Sequence, residues 1–113
     1  MAIDHPATHN LVIRRGRGYS KTFSLPGDFS AYTAKSEIRS SRKATSTLIE
    51  TFTCVVGSYS GGRTPVTLSL SASETAAVTA DTGHWDLVLT SVGVPETYII
   101  GSVSFEDAPT VIP

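Results

Sequence analysis

The sequence predicts an all-β domain folded as a two-layer sandwich, and three observations carry that expectation. Apolar and polar residues alternate with period two in stretches that recur about every 10–15 residues. Turn-forming residues separate those stretches, as in Pro26-Gly27-Asp28 and Gly57-Ser58-Tyr59-Ser60-Gly61-Gly62. Charged residues make up 17% of the chain, below the usual ~25%, and Ser, Thr and Gly take their place.

The elements follow in order. Leu11-Val12-Ile13 opens a first strand, ended by Gly16 and Gly18. Tyr19 to Leu25 forms a second, stopped at Pro26-Gly27-Asp28, where proline presets φ and glycine frees it. Tyr32 to Arg39 shows the clearest alternation. Tyr32, Ala34, Ser36 and Ile38 share one face, and Lys35, Glu37 and Arg39 the other, so one face is buried and one is wet. A polar turn at Ser40 to Lys43 precedes a long β-rich run, Thr45 to Val56. After the glycine loop, Val66, Leu68 and Leu70 line a fifth strand.

Ser71-x-x-Glu74 has the spacing of a capping box and opens a short helical connector near residues 72–78. Trp85, Leu87 and Leu89 then form the inner face of a sixth strand, and Ile99, Gly101, Val103 and Phe105 that of a seventh. Seven strands in one open sheet would leave an apolar face wet, so two packed sheets are expected. The reading is an immunoglobulin-like sandwich lacking the Cys…Trp…Cys pattern of antibody domains. Trp85, Leu87, Leu68, Ile38, Val103 and Phe105 are its expected core.

At 113 residues the chain fits a single domain, 1–113, with 1–10 and 108–113 as arms or flexible ends. Cys54 is the one cysteine, so no intrachain disulfide can form, and its apolar neighbours Phe52, Val55 and Val56 make it a small core residue. Met1 to Pro6 has neither the basic nor the apolar region of a signal peptide, and no run reaches the ~20 apolar residues of a membrane span. A soluble protein made in a cytoplasm is expected, with no membrane partner.

No catalytic constellation emerges, and the chain is not expected to be an enzyme. His84 and Asp86 share a strand face, but no G-x-S-x-G elbow accompanies them. His5 and His9 lack a third ligand, so no metal is expected, and no cofactor. Gly16-Arg17-Gly18 and Gly61-Gly62-Arg63 lack the context of a phosphate loop and read as hairpin turns. With a pI near 6.3, nucleic acid is not an expected partner.

Charge is divided along the chain. All nine Lys and Arg lie at or before Arg63, beside four acids, and six acids with no base follow. Either these are scattered solvated charges, or basic and acidic rims of neighbouring subunits meet. On the second reading the protein interface comprises Arg14, Arg15 and Arg17, with Glu106 and Asp107 opposite, and Val111 and Ile112 in a C-terminal arm.

Two stretches carry a resemblance. One runs from the strand Val66 to Leu70 through Ser71 to Val78 and Gly83-His84-Trp85-Asp86-Leu87-Val88-Leu89-Thr90 to Gly101-Ser102-Val103-Ser104-Phe105. The other is Asp28-Phe29-Ser30-Ala31-Tyr32, with Ala31 where the pattern often has Gly. Together, over residues 20–107, they resemble small immunoglobulin-like tailed-phage virion proteins and the N-terminal domain of phage baseplate upper proteins. The resemblance implies a structural part of a virion, as a tail, neck or baseplate connector in a homo-oligomer or symmetric ring with other virion proteins. A capsid decoration protein, or a carbohydrate- or receptor-binding module using the Trp85 or Tyr59 region, are the alternatives.

Overall fold

The computed structural model of the protein describes residues 7–43 and 45–107. Its elements are β1 (Ala7–Thr8), β2 (Leu11–Arg15), β3 (Tyr19–Pro26), β4 (Thr33–Arg39), β5 (Leu48–Thr51), β6 (Thr53–Val56), β7 (Arg63–Leu70), α1 (Ala72–Ala76), β8 (Thr82–Ser91) and β9 (Val94–Asp107). One sheet runs β1-β9-β8-β4-β5, with β2 also paired to β9, and the other runs β3-β7-β6. Both β1 and β2 lie parallel to β9 along the same edge.

The alternation read from the sequence is the burial pattern. Val66, Leu68 and Leu70 point inward on β7, and Trp85, Leu87 and Leu89 on β8, while the residues between them are half-buried. All six expected core residues are buried, Trp85 at 3% exposure. The Trp85 ring stacks on Phe23 of the other sheet, with centroids 5.6 Å apart at 25°, and meets Phe52 edge-on at 6.2 Å. This cross-sheet aromatic seam joins the layers that antibody domains link with a disulfide.

Helix α1 begins as its spacing predicts. Ser71 Oγ accepts from the Glu74 amide at 3.2 Å, and Glu74 Oε1 accepts from the Ser71 amide at 2.8 Å. Thr75 then donates from its buried hydroxyl to the Arg17 carbonyl at 2.8 Å, which ties the helix to the β2–β3 turn.

Two sequence expectations are corrected. The run from Thr45 to Val56 is not one strand: β5 pairs with β4 and β6 with β7, so the chain changes sheet at Phe52. Phe52 is buried there, and its amide donates to the Ser36 carbonyl at 2.9 Å. Gly16-Arg17-Gly18 is a crossover between sheets rather than a hairpin, because β2 and β3 belong to different layers. Gly61 and Gly62 do close a hairpin, with Ser60 and Arg63 exchanging backbone hydrogen bonds of 2.9 and 3.1 Å. The last strand, with Ile99, Gly101, Val103 and Phe105 inward as expected, begins at Val94 and forms a long hairpin with β8. No helix among the described residues is long and apolar enough to cross a membrane.

Candidate functional site

The charged residues expected to face one another across subunits meet inside one chain. Register places Arg14 opposite Glu106 and Arg15 opposite Asp107. Arg14 Nη1 lies 3.2 Å from Glu106, both partly exposed. Arg15 has only 18% of its side chain exposed and is fully engaged. Its Nη1 donates to Asp107 and its Nη2 to Asp81, both at 3.0 Å, while Nε and Nη2 also donate to the carbonyls of Val78 and Ala80 at 3.0 and 2.6 Å. The bond to Asp81 above all, then that to Asp107, holds its pKa above the ordinary value against partial desolvation.

Arg15 therefore clamps the α1–β8 connection onto the sheet edge. Arg14 and Arg15 thus pair with Glu106, Asp107 and Asp81 of their own chain, because β2 lies beside β9 at one sheet edge. Arg17 sits in the crossover turn, and Val111 and Ile112, like the rest of 108–113 and residues 1–6, lie outside the described residues.

The wet face of the larger sheet carries a second cluster. Glu37 stands opposite Asp86, and Arg39 opposite His84. Arg39 donates to Glu37 at 3.0 and 3.2 Å and to the Ser46 carbonyl at 2.8 Å, so it is committed to its own strand and the neighbouring turn. His84 Nδ1 is buried with no hydrogen-bond partner. Desolvation raises the Asp86 pKa, and the Glu37 charge adds to it, only partly offset by the Glu37 amide and Arg39.

A carboxylate with a raised folded-state pKa favours the fold while protonated and loses that contribution as pH rises past 3.8. Asp86→Asn is therefore expected to raise the unfolding temperature at neutral pH, with the gain vanishing in acid below that value. A gain of equal size at both pH values would assign it to packing instead.

Among the described residues, no group of three or more metal-binding side chains converges. His9 uses its backbone instead, its carbonyl accepting from Trp85 Nε1 at 2.8 Å, while its ring packs on Phe23. Cys54 is half-buried, and burial pushes its thiol pKa up, away from nucleophilic reactivity. With Trp85 in the core, that ring offers no platform for a sugar, whereas Tyr59 is exposed.

Two further features were not anticipated from the sequence, the hairpin where β8 turns into β9 and a groove beside β3. The first is the hairpin tip, where Ser91 pairs with Val94 across the two-residue turn Val92-Gly93. Val92 has φ 51° and Gly93 φ 76°, the sense of a type I′ turn that asparagine and glycine favour. Val92 is the one described non-glycine residue with positive φ. A β-branched side chain held there costs about 1–3 kcal/mol. Val92 is 99% exposed, so no side-chain contact of its own within the domain offsets the strain, and Val94 beside it is 61% exposed.

The second feature is a groove of about 390 Å³ between the open edge of β3 and the β1/β9 edge of the other sheet. Phe23, Leu25, Phe29, Tyr98 and Ile99 line it, with Lys21 at the rim. Tyr98 is the extra residue of a β-bulge, since Leu87 pairs with Ile99 and Val88 with Thr97. Its ring stands edge-on to Phe29 at 5.1 Å. The missed signal was Val-Gly between two alternating runs, which marks a hairpin without the usual Asn-Gly.

No protein-family model and no curated protein matches the chain. A solved structure from a photo-crosslinking study of multimeric cell-adhesive interactions of VGSC beta subunits matches with TM-score 0.53 and 9% identity, covering 97% of this chain and 99% of its own. Another, the inferred receptor binding domain of human endogenous retrovirus envelope EnvP(b)1, matches with TM-score 0.49 and 13% identity over 94% and 93%. Identities this low speak to fold alone. The chain thus has the immunoglobulin-like β-sandwich fold.

Proposed function

We propose that the protein is a non-catalytic structural component of a tailed-phage virion, a connector or adaptor at the tail, neck or baseplate. It acts by protein–protein contacts, as a homo-oligomer or symmetric ring beside other virion proteins. The observation that carries a contact role is the strained, fully exposed Val92 at a hairpin tip. Backbone strain kept at an exposed apolar tip is the kind of outlier from which a contact role is inferred. The assignment to a virion rests on the resemblance of residues 20–107 to phage virion domains.

Mass spectrometry of purified particles from a host carrying the gene tests this reading, with the protein expected in a fixed ratio to tail proteins. Its absence from intact particles would sink the virion role. A capsid decoration role would follow instead from a ratio that tracks the major capsid protein. Exposed Tyr59 favours one rival reading, a carbohydrate- or receptor-binding module. Saturable glycan binding abolished by Tyr59→Ala would establish it.

A further inference from the structure

We propose that the protein self-associates by a knob-and-hole contact, in which the Val92-Gly93-Val94 hairpin tip of one copy plugs the groove beside β3 of a second copy. The inference deepens the oligomer reading above and rests on that part of it, independently of whether the oligomer sits in a virion.

Four observations converge. The knob is apolar, exposed and strained, so the fold alone does not account for Val92. The hole is apolar, open to the surface and large enough for a pair of valine side chains. The tip cannot serve its own groove. Val94 stands four residues from Tyr98 along β9, about 13 Å of extended strand, and the paired hairpin cannot fold back on itself. Charge is complementary as well: Lys21 lines the hole, and Glu96, hydrogen-bonded to Tyr98 of its own strand, stands at the base of the knob, an arrangement that favours docking in one register.

The open edge of β3 adds a further means of contact. β3 is the outermost strand of its sheet, bonded on one side only, to β7. A tip entering the groove brings backbone groups within reach of that edge, so strand addition can supplement the apolar plug. A surface with knob and hole at different places builds a closed ring when each serves a different neighbour, or a dimer when two copies exchange knobs.

The test uses the purified full chain. Val92→Asn places the preferred residue in the type I′ turn, so its unfolding temperature is expected to rise by several degrees. Its self-association in sedimentation velocity is expected to weaken by about tenfold or more, as for a central apolar contact. A stability gain coupled to an assembly loss separates a contact residue from a structural one. In a Cys54→Ser background, Val92→Cys with Ser24→Cys should form disulfides between chains under mild oxidation.

Several outcomes would overturn the proposal. One is a wild-type protein that stays monomeric at every concentration, which would leave the tip to a different protein. Another is association that Val92→Asn leaves unchanged. A third is an efficient disulfide within one chain between Ile3→Cys and Ser24→Cys, which would give the groove to the chain's own first residues. Presence or absence in particles is read separately by the mass spectrometry above, so the two proposals fail independently.

Discussion

Trp85→Ala is expected to destabilise the domain by about 3–5 kcal/mol, the range for removing a buried indole. Three contacts converge on this side chain. Its ring stacks on Phe23 across the sheets, it meets Phe52 edge-on, and its N–H donates to the His9 carbonyl at 2.8 Å. Alanine would remove all three and leave a cavity between the layers. Small domains are stable by only about 5–15 kcal/mol, so the loss is a large share of the whole. Urea unfolding followed by circular dichroism measures it, since the variant has no tryptophan left to report.

Trp85→Phe separates the parts. It keeps an aromatic stack but leaves the His9 carbonyl without its donor, for an expected cost of about 1–3 kcal/mol. In the wild type, fluorescence should be blue-shifted and resist quenching. A loss below about 1 kcal/mol for Trp85→Ala would mean that the seam is not what joins the sheets.

Gly101→Ala is expected to cost about 3 kcal/mol or more, at the upper end for overpacked sites. A Cβ built on Gly101 would collide with the backbone carbonyl of His9 and stand 2.8 Å from Trp85 Nε1. Neither neighbour is the free end of a flexible side chain. The His9 segment would have to leave β9, breaking the hydrogen bond that the His9 N–H donates to the Ile100 carbonyl at 2.9 Å together with the one that the indole donates to the His9 carbonyl. Hydrogen exchange should show the His9 amide losing protection before the β8–β9 ladder does. Gly93→Ala is the control, because space there is open and only its φ of 76° is strained. Its cost should be about 1–2 kcal/mol. Wild-type stability in Gly101→Ala would refute the close packing of β1 on β9.

Both predictions concern residues that stood out in the sequence for a weaker reason than the one the structure supplies. Trp85 and Gly101 sat on inner faces by alternation alone. Nothing in that pattern revealed that they are cross-strand neighbours, that Phe23 and Phe52 complete the seam, or that glycine is needed where His9 passes. Alternation reports which face a residue occupies, while its partner depends on which strands become neighbours.

Local chemistry therefore determined what depends on near neighbours in sequence. The inward residues of β4, β7, β8 and β9 follow from period two, and the start of α1 follows from Ser71 and Glu74, three residues apart. Only the tertiary structure decided the rest. Phe52 divides one β-rich run because its first half pairs back onto β4 and its second half forward onto β7, and those two strands belong to different sheets. Arg14 and Arg15 meet Glu106 and Asp107 within one chain because β2 lands parallel on β9. The groove exists only where the edges of two sheets come to lie side by side. The Val92 tip runs against local preference altogether, since a turn residue is held at positive φ by the ladder on either side of it, whatever its own propensity.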